Sequence, residues 1–385
     1  MLNQFTVKSF KSLQDVTIDL GTINVFIGAN GSGKSNLMEA IGVLGAAASG
    51  RVNDESLKYR GVRPGVPALY KSSFKKGAVA QNIRFEARSE YNAEYSVSLW
   101  NPTEKPVADW VYKDEKLTVG AHKIVGRSPA SSGNLNKYAG LAALKMVELL
   151  ETEATAQLLT LLQNYAIYTP NTPTLRGLEP DPQARYPIGL AGGGLPQAWL
   201  GLFQKIEQVY TLVDWLQSVG VGDTSHLPIS SSVPQPQMGF KFTDKFMKMG
   251  RNTLSGYDAS EGVLYLLFGS VLARHPKTPK LFAIDNFDQA LNPRVAREFT
   301  KVFCDWLLES KDRQALLTTH NPLVLDGLPL QNSAVRLFAV DRNKRGNTVV
   351  HRVTVGESLL ASAEQGIPLS QQWVMGHFGG VPSGV

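Results

Sequence analysis

Residues 23–36 read INVFIGANGSGKSN, and the reading of this stretch decides the fold. INVFI (23–27) is short, unbroken and apolar, with the β-branched content of a buried parallel strand. SNLMEAIGVLGAAA (35–48) places apolar residues at helical spacing. Between them, residues 28–35 keep the spacing G-x-x-x-x-G-K-[ST]. Glycines let a backbone curl around a phosphate without a Cβ in the way. Successive N–H groups then form an anion nest, and the following helix adds its positive end. Gly28, Asn30, Gly31, Gly33 and Asn36 are therefore candidate phosphate-loop residues. Lys34 is placed to reach the β- and γ-phosphates, and Ser35 to hold Mg²⁺. The local sequence predicts binding of ATP or GTP.

The composition sets bounds. The chain has 385 residues, 43% of them hydrophobic, enough for a sizeable folded core. A single cysteine, Cys304, excludes an intrachain disulfide and fits a reducing cytoplasm. The start, MLNQFTVKSFKSLQDVTIDL, alternates apolar and polar residues, unlike a signal peptide. No apolar run reaches the roughly 18 residues of a membrane span, so no membrane partner is expected. The formal charge of +6 permits contact with nucleic acid without requiring it.

Two downstream runs complete a nucleotide site. KLFAID (280–285) is an apolar strand ending in Asp285, a Walker-B pattern that delivers a carboxylate to a Mg²⁺ shell. QALLTTHN (314–321) is a second apolar strand, ending at His320. A third segment, LSGYDASEGVLYLLFGSVLA (254–273), places a serine and a glycine ahead of an apolar helix. With these pieces the chain resembles the ABC/SMC/RecF class of P-loop ATPases, with OLD-type and stand-alone AAA-family ATPases among its likenesses. The opening FTVKSFKSLQDVTIDLGTINVFIGANGSGKSNL looks like the first hairpin of SMC-like and OLD-type members. WVMGHFGGVP (373–382) and GLAGGGLPQAWLGLF (189–203) look like segments of short stand-alone relatives.

The resemblance implies roles. ATP is the nucleotide, Mg²⁺ its ion, and His320 contacts the γ-phosphate. A signature serine at a helix head reaches across to the nucleotide held by a second copy. Two registers compete for it, Leu254-Ser255-Gly256 and Ser260-Glu261-Gly262. The second is preferred, because the apolar helix starts directly after Gly262 and the spacing to Asp285 suits the class. The motif set then requires a homodimer or higher homo-oligomer.

One position departs from the class. The residue after the Walker-B aspartate is usually a glutamate that acts as general base, and here it is Asn286. An amide can orient a water but cannot accept its proton near neutral pH. Either Asp288 substitutes, or hydrolysis is slow and ATP acts mainly as a dimer-locking switch. Asn292 stands where a D-loop residue of the class would face the partner copy.

The expected fold class is α/β, an ABC-type ATPase head. It has an antiparallel N-terminal sheet, a mixed or parallel P-loop core sheet and an inserted helical region. The expected division is a first ATPase lobe over 1–115, a mainly helical insert over 116–240, and a second lobe over 241–385. Long helices are expected over 140–166 and 195–219, and a linker over 230–239. The basic segment 56–78, with Lys58, Arg60, Arg63, Lys71, Lys75 and Lys76, is a candidate contact for phosphate backbone or a partner. Gln81 is the nearest match to the class's Q-loop glutamine.

Small ATPases of this build resemble sensor subunits of bacterial anti-phage systems of the Septu and PARIS types. That resemblance implies a cytoplasmic bacterial ATPase that regulates a separate effector, a nuclease or toxin, with DNA a candidate ligand. The competing readings are a RecF-like DNA-repair ATPase and, in a different class, the ATPase subunit of a membrane transporter.

Overall fold

The computed structural model describes residues 1–75, 79–100, 110–128, 135–202, 206–224, 238–354, 356 and 367–379. The apolar run at 23–27 forms β3 (Ile23–Ile27), buried at every position. It lies in the middle of a six-stranded sheet with β8 (Ala166–Tyr168), β12 (Leu281–Ile284), β13 (Gln314–Thr318), β14 (Val335–Arg342) and β15 (Thr348–Val353). Their order is β15-β14-β3-β13-β12-β8. All neighbours are parallel except β14 and β15, which form an antiparallel hairpin. Strands covered on both faces read as continuous apolar runs, which is why KLFAI and QALLT carry no alternation.

A second sheet is antiparallel, in the order β2-β1-β4-β5-β6-β7. It comprises β1 (Leu2–Phe10), β2 (Leu13–Asp19), β4 (Asn82–Ser89), β5 (Ala93–Trp100), β6 (Val111–Val119) and β7 (His122–Arg127). Here one face is wet, so β1 alternates Phe5 and Val7 inward with Gln4, Thr6 and Lys8 outward. The P-loop helix (Lys34–Ala48) is held between the two sheets and is buried nearly all round. Its Gly45 permits close approach to the helix Ala154–Asn164, because a Cβ there would stand 2.4 Å from the Leu162 carbonyl oxygen.

The core sheet separates two apolar layers. Phe26, Ala283, Leu316 and Phe338 face the P-loop helix and the antiparallel sheet. Val25, Ile284, Leu317 and Leu337 face the helices Glu261–Arg274 and Pro293–Ser310. Buried Gln314 ties the sheets together: its side-chain amide donates to the carbonyls of Leu2 (2.8 Å) and Gly21 (2.7 Å). Its Oε1 accepts from the Leu2 N–H at 3.0 Å. A small third sheet has the order β11-β10-β9, formed by β9 (Leu216–Asp223), β10 (Met238–Asp244) and β11 (Thr253–Ser255).

The middle of the chain differs from the sequence expectation. The helix expected over 140–166 is broken into Leu141–Lys145, a short 3₁₀ turn at Met146–Glu148, and Ala154–Asn164. Leu144, Val147 and Leu150 carried the helical periodicity of its first half, yet they are exposed. Residues 166–168 leave the helix to become β8, at the end of the core sheet. Among the described residues, the helix expected over 195–219 is Leu195–Leu200 and Glu207–Leu212, and its tail is strand β9. Val219 and Val221 alternate with glycines there, a period-two pattern that pairs with β10. Strand β6 also runs across residue 115, the expected end of the first lobe. The expected linker lies outside the described residues up to 237, as do Lys76 and the end of the 373–382 segment.

Candidate functional site

The loop after β3 holds its shape with three glycines at positive φ: Gly28 (154°), Gly31 (76°) and Gly33 (114°). Space also requires two of them. A Cβ on Gly28 would stand 2.2 Å from the Val340 carbonyl oxygen, and one on Gly33 2.2 Å from Thr348 Oγ1. The loop is thus seated against the β14–β15 hairpin. The Thr348 hydroxyl donates to the Ser32 carbonyl at 2.7 Å, and the Thr348 N–H to the Ser12 carbonyl at 2.8 Å.

Lys34 closes back over this loop. Its ammonium donates to the carbonyls of Gly28 (2.7 Å) and Ala29 (3.1 Å). Burial pulls its pKa down to about 8, against the opposing pull of Asp285. The Ser35 hydroxyl donates to Asp285 Oδ2 at 2.9 Å, joining the loop to the end of β12. Thr318, at the end of β13, donates to Asp285 Oδ1 at 2.5 Å and accepts the Asn286 N–H at 2.8 Å. One hydroxyl therefore fixes both the aspartate and the residue after it. Asn286 sits at φ 57°, a left-handed conformation that asparagine tolerates better than most residues.

These elements enclose a cavity of 360 Å³, within the size range of small-ligand sites. Asn30, Gly31, Gly33, Lys34, Ser35, Asn36, Asp285, Asn286 and His320 all line it. Gly28 is buried and does not line it. The Asn36 amide is engaged elsewhere, donating to Ser12 Oγ at 2.8 Å. Burial and the neighbouring Lys34 hold His320 below the ordinary histidine range, opposed by Asp288 and Asp285. A neutral imidazole can still donate one N–H to a phosphate oxygen. Asp288 does not line the cavity, and its Oδ1 is buried without a hydrogen-bond partner. Gln81 is exposed and is also absent from the cavity wall.

The oxygens of Ser35 and Asp285, hard donors already within 2.9 Å of each other, fit a Mg²⁺ ion. When bound there, that ion supplies neutralisation of phosphate charge. The nest of amides and Lys34 can take the phosphates themselves.

Two arginines in the cavity wall were not read as nucleotide-site residues from the sequence. Arg63 lies in the segment read as a candidate nucleic-acid contact, but its guanidinium donates to buried Glu39 on the P-loop helix, at 2.6 and 3.2 Å. Lys11 pairs with the same carboxylate. Arg60 of that segment is buried and bound to the carbonyls of Ser56 and Gln163, so it offers nothing to a polyanion. Arg342, from the end of β14, is the second. No local motif marks either position.

Ser260 and Gly262 lie elsewhere. They open the helix Glu261–Arg274 and line a different cavity, with Ala290, Leu291, Asn292 and Arg294. Ser260 is exposed and makes no capping hydrogen bond. Ser255 is buried, and its hydroxyl is committed to Asp258 Oδ2 at 2.6 Å. Asn292 caps the helix Pro293–Ser310 by accepting the Val295 N–H at 2.9 Å.

Known proteins share parts of this sequence and its fold. The family profile described as "AAA ATPase domain" matches residues 1–99. The one described as "AAA domain, putative AbiEii toxin, Type IV TA system" matches residues 230–326. The chain is 44% identical over 55 residues to the DNA replication and repair protein RecF of Renibacterium salmoninarum, a match spanning 14% of each chain. Among solved structures, it resembles an Smc head bound to the C-terminal winged-helix domain of ScpA, with TM-score 0.50 and 14% identity. That likeness covers 93% of this chain and 99% of the other. It also resembles the Smc head with an extended coiled coil, bound to the C-terminal domain of ScpA, derived from Pyrococcus furiosus. There the TM-score is 0.50 and the identity 11%, covering 94% and 99% of the two chains. The likeness to these structures is one of fold: an SMC-head α/β architecture with an antiparallel and a mixed sheet. Beside that fold likeness stand the two AAA-domain profile matches, to residues 1–99 and 230–326.

Proposed function

We propose that the chain binds Mg²⁺-ATP, dimerises around two nucleotides, hydrolyses them slowly, and uses that cycle to regulate a separate effector. The observation that carries the nucleotide reading is the linkage of Ser35, Asp285 and Thr318 beside a glycine loop closed by Lys34. In this reading Lys34 leaves the carbonyls of Gly28 and Ala29 and turns to the phosphates. Asn286 and His320 orient the attacking water and the terminal phosphate.

The separation of the two cavities supports dimerisation. In one copy, Ser260 and Gly262 do not line the wall that Lys34 and Asp285 share. A helix head that serves a phosphate must then serve the one held by another copy. Asn286 in place of a proton-accepting carboxylate supports slow turnover. A toxin-linked family description over residues 230–326 supports the effector-regulating role, as part of anti-phage defence. The 55-residue likeness to RecF favours a second reading, an ATPase of DNA repair.

The test of the nucleotide reading is Lys34→Ala. Binding of a fluorescent ATP analogue should be lost, by at least about a hundredfold, since a charged donor and its desolvated contacts disappear together. Intact affinity would refute it. Copurification of a nuclease or toxin from native cells would separate the defence reading from the repair reading.

A further inference from the structure

We propose that Arg342 is a second cation of the triphosphate site, supplied by the β14–β15 hairpin of the same chain. The inference rests on the nucleotide reading above and adds to it a phosphate-binding residue outside every motif.

Arg342 lines the cavity that also holds Lys34, Ser35, Asp285 and His320. Its Nε donates to the Gly31 carbonyl at 3.0 Å, and its Nη1 to the Gly346 carbonyl. It therefore rests on neutral carbonyls, one of them belonging to the phosphate loop, as Lys34 does. Among the described residues no carboxylate pairs with it. Arg63, in the same wall, is different: its guanidinium is tied to the Glu39 carboxylate, which Lys11 shares. Of the two arginines, Arg342 is the one without a carboxylate partner among the described residues.

Its mounting is stiff. Val340 and Thr348, at either side of the hairpin turn, are the two residues that Gly28 and Gly33 pack against most closely. Thr348 is hydrogen-bonded to Ser32 and Ser12. The hairpin and the loop thus form one body, which holds the Arg342 guanidinium against the Gly31 carbonyl in the wall of the cavity. A planar guanidinium can donate two parallel hydrogen bonds to a phosphate, a geometry that lysine cannot copy.

Isothermal titration with Mg²⁺-ATP and with inorganic triphosphate tests this on wild type, Arg342→Gln and Arg342→Lys. The Gln variant should bind both ligands at least about tenfold more weakly, with the Lys variant between it and wild type. Because inorganic triphosphate lacks base and ribose, its loss assigns the contact to phosphate. Wild-type affinity for inorganic triphosphate in the Gln variant would overturn the proposal. So would a Lys variant no better than Gln, which would leave Arg342 as a brace on Gly31 alone. Failure of wild type itself to bind ATP would instead remove the nucleotide reading, and this proposal with it.

Discussion

Ser35 and Asp285, 250 positions apart in the chain, meet in a 2.9 Å hydrogen bond between hydroxyl and carboxylate. The bond joins the exit of β3 to the exit of β12, with β13 between them supplying Thr318 to the same carboxylate. Such a pair is the oxygen set that a divalent cation would take. Asp285→Ala is therefore expected to remove the Mg²⁺-dependent part of ATP affinity, about tenfold or more, and to leave the metal-free part. ATP titrations with Mg²⁺ and with EDTA measure the two parts. An undiminished Mg²⁺ effect in the variant would separate Asp285 from the metal.

Lys34 makes binding pH-dependent. Burial holds its pKa at about 8 in the nucleotide-free site, and phosphate charge would raise it. Binding then takes up a proton wherever the free site has lost one. At pH 8 the uptake should be roughly half a proton per nucleotide, and affinity should fall as pH rises above 8. His320, held below its ordinary range, titrates in a lower window and does not mimic this. Calorimetry in buffers of different ionisation enthalpy counts the protons. Zero uptake at pH 8 would contradict the account of Lys34.

Asn286→Glu carries two opposite expectations. A carboxylate at the cavity wall can accept the proton that an amide cannot, so turnover should rise if proton transfer limits it. The same position has φ 57°, and a glutamate there should lower stability by about 1 kcal/mol. ATP turnover and thermal unfolding, measured on the same preparation, check both. An unchanged rate would direct attention to Asp288, whose Oδ1 is buried and unpaired, or to a later step.

The parts of this protein that were legible in its sequence are those whose signal is local. The strand, glycine loop and helix at 23–48 depend on neighbours in sequence, and so do the apolar runs ending at Asp285 and His320. Thr318, Arg63 and Arg342 were not legible as site residues, because their proximity to the loop is created by sheet order and by a hairpin. The expected helices at 140–166 and 195–219 failed for a related reason. Leu144, Val147 and Leu150 have helical spacing but nothing to bury against, while Ala166–Tyr168 gains an edge of the core sheet. Val219 gains a direct partner in Phe242, and Val221 in Phe240. Tertiary pairing decided these segments over periodicity.

The central claim is that one copy's glycine loop and another copy's Ser260 hold the same triphosphate. Light scattering with a non-hydrolysable ATP analogue measures it directly, on wild type and on Ser260→Arg. The account predicts a mass of twice 42.0 kDa for wild type with the analogue, and 42.0 kDa for the variant, which still binds it. Wild type that binds the analogue yet stays at 42.0 kDa, or a variant that pairs as well as wild type, would contradict it.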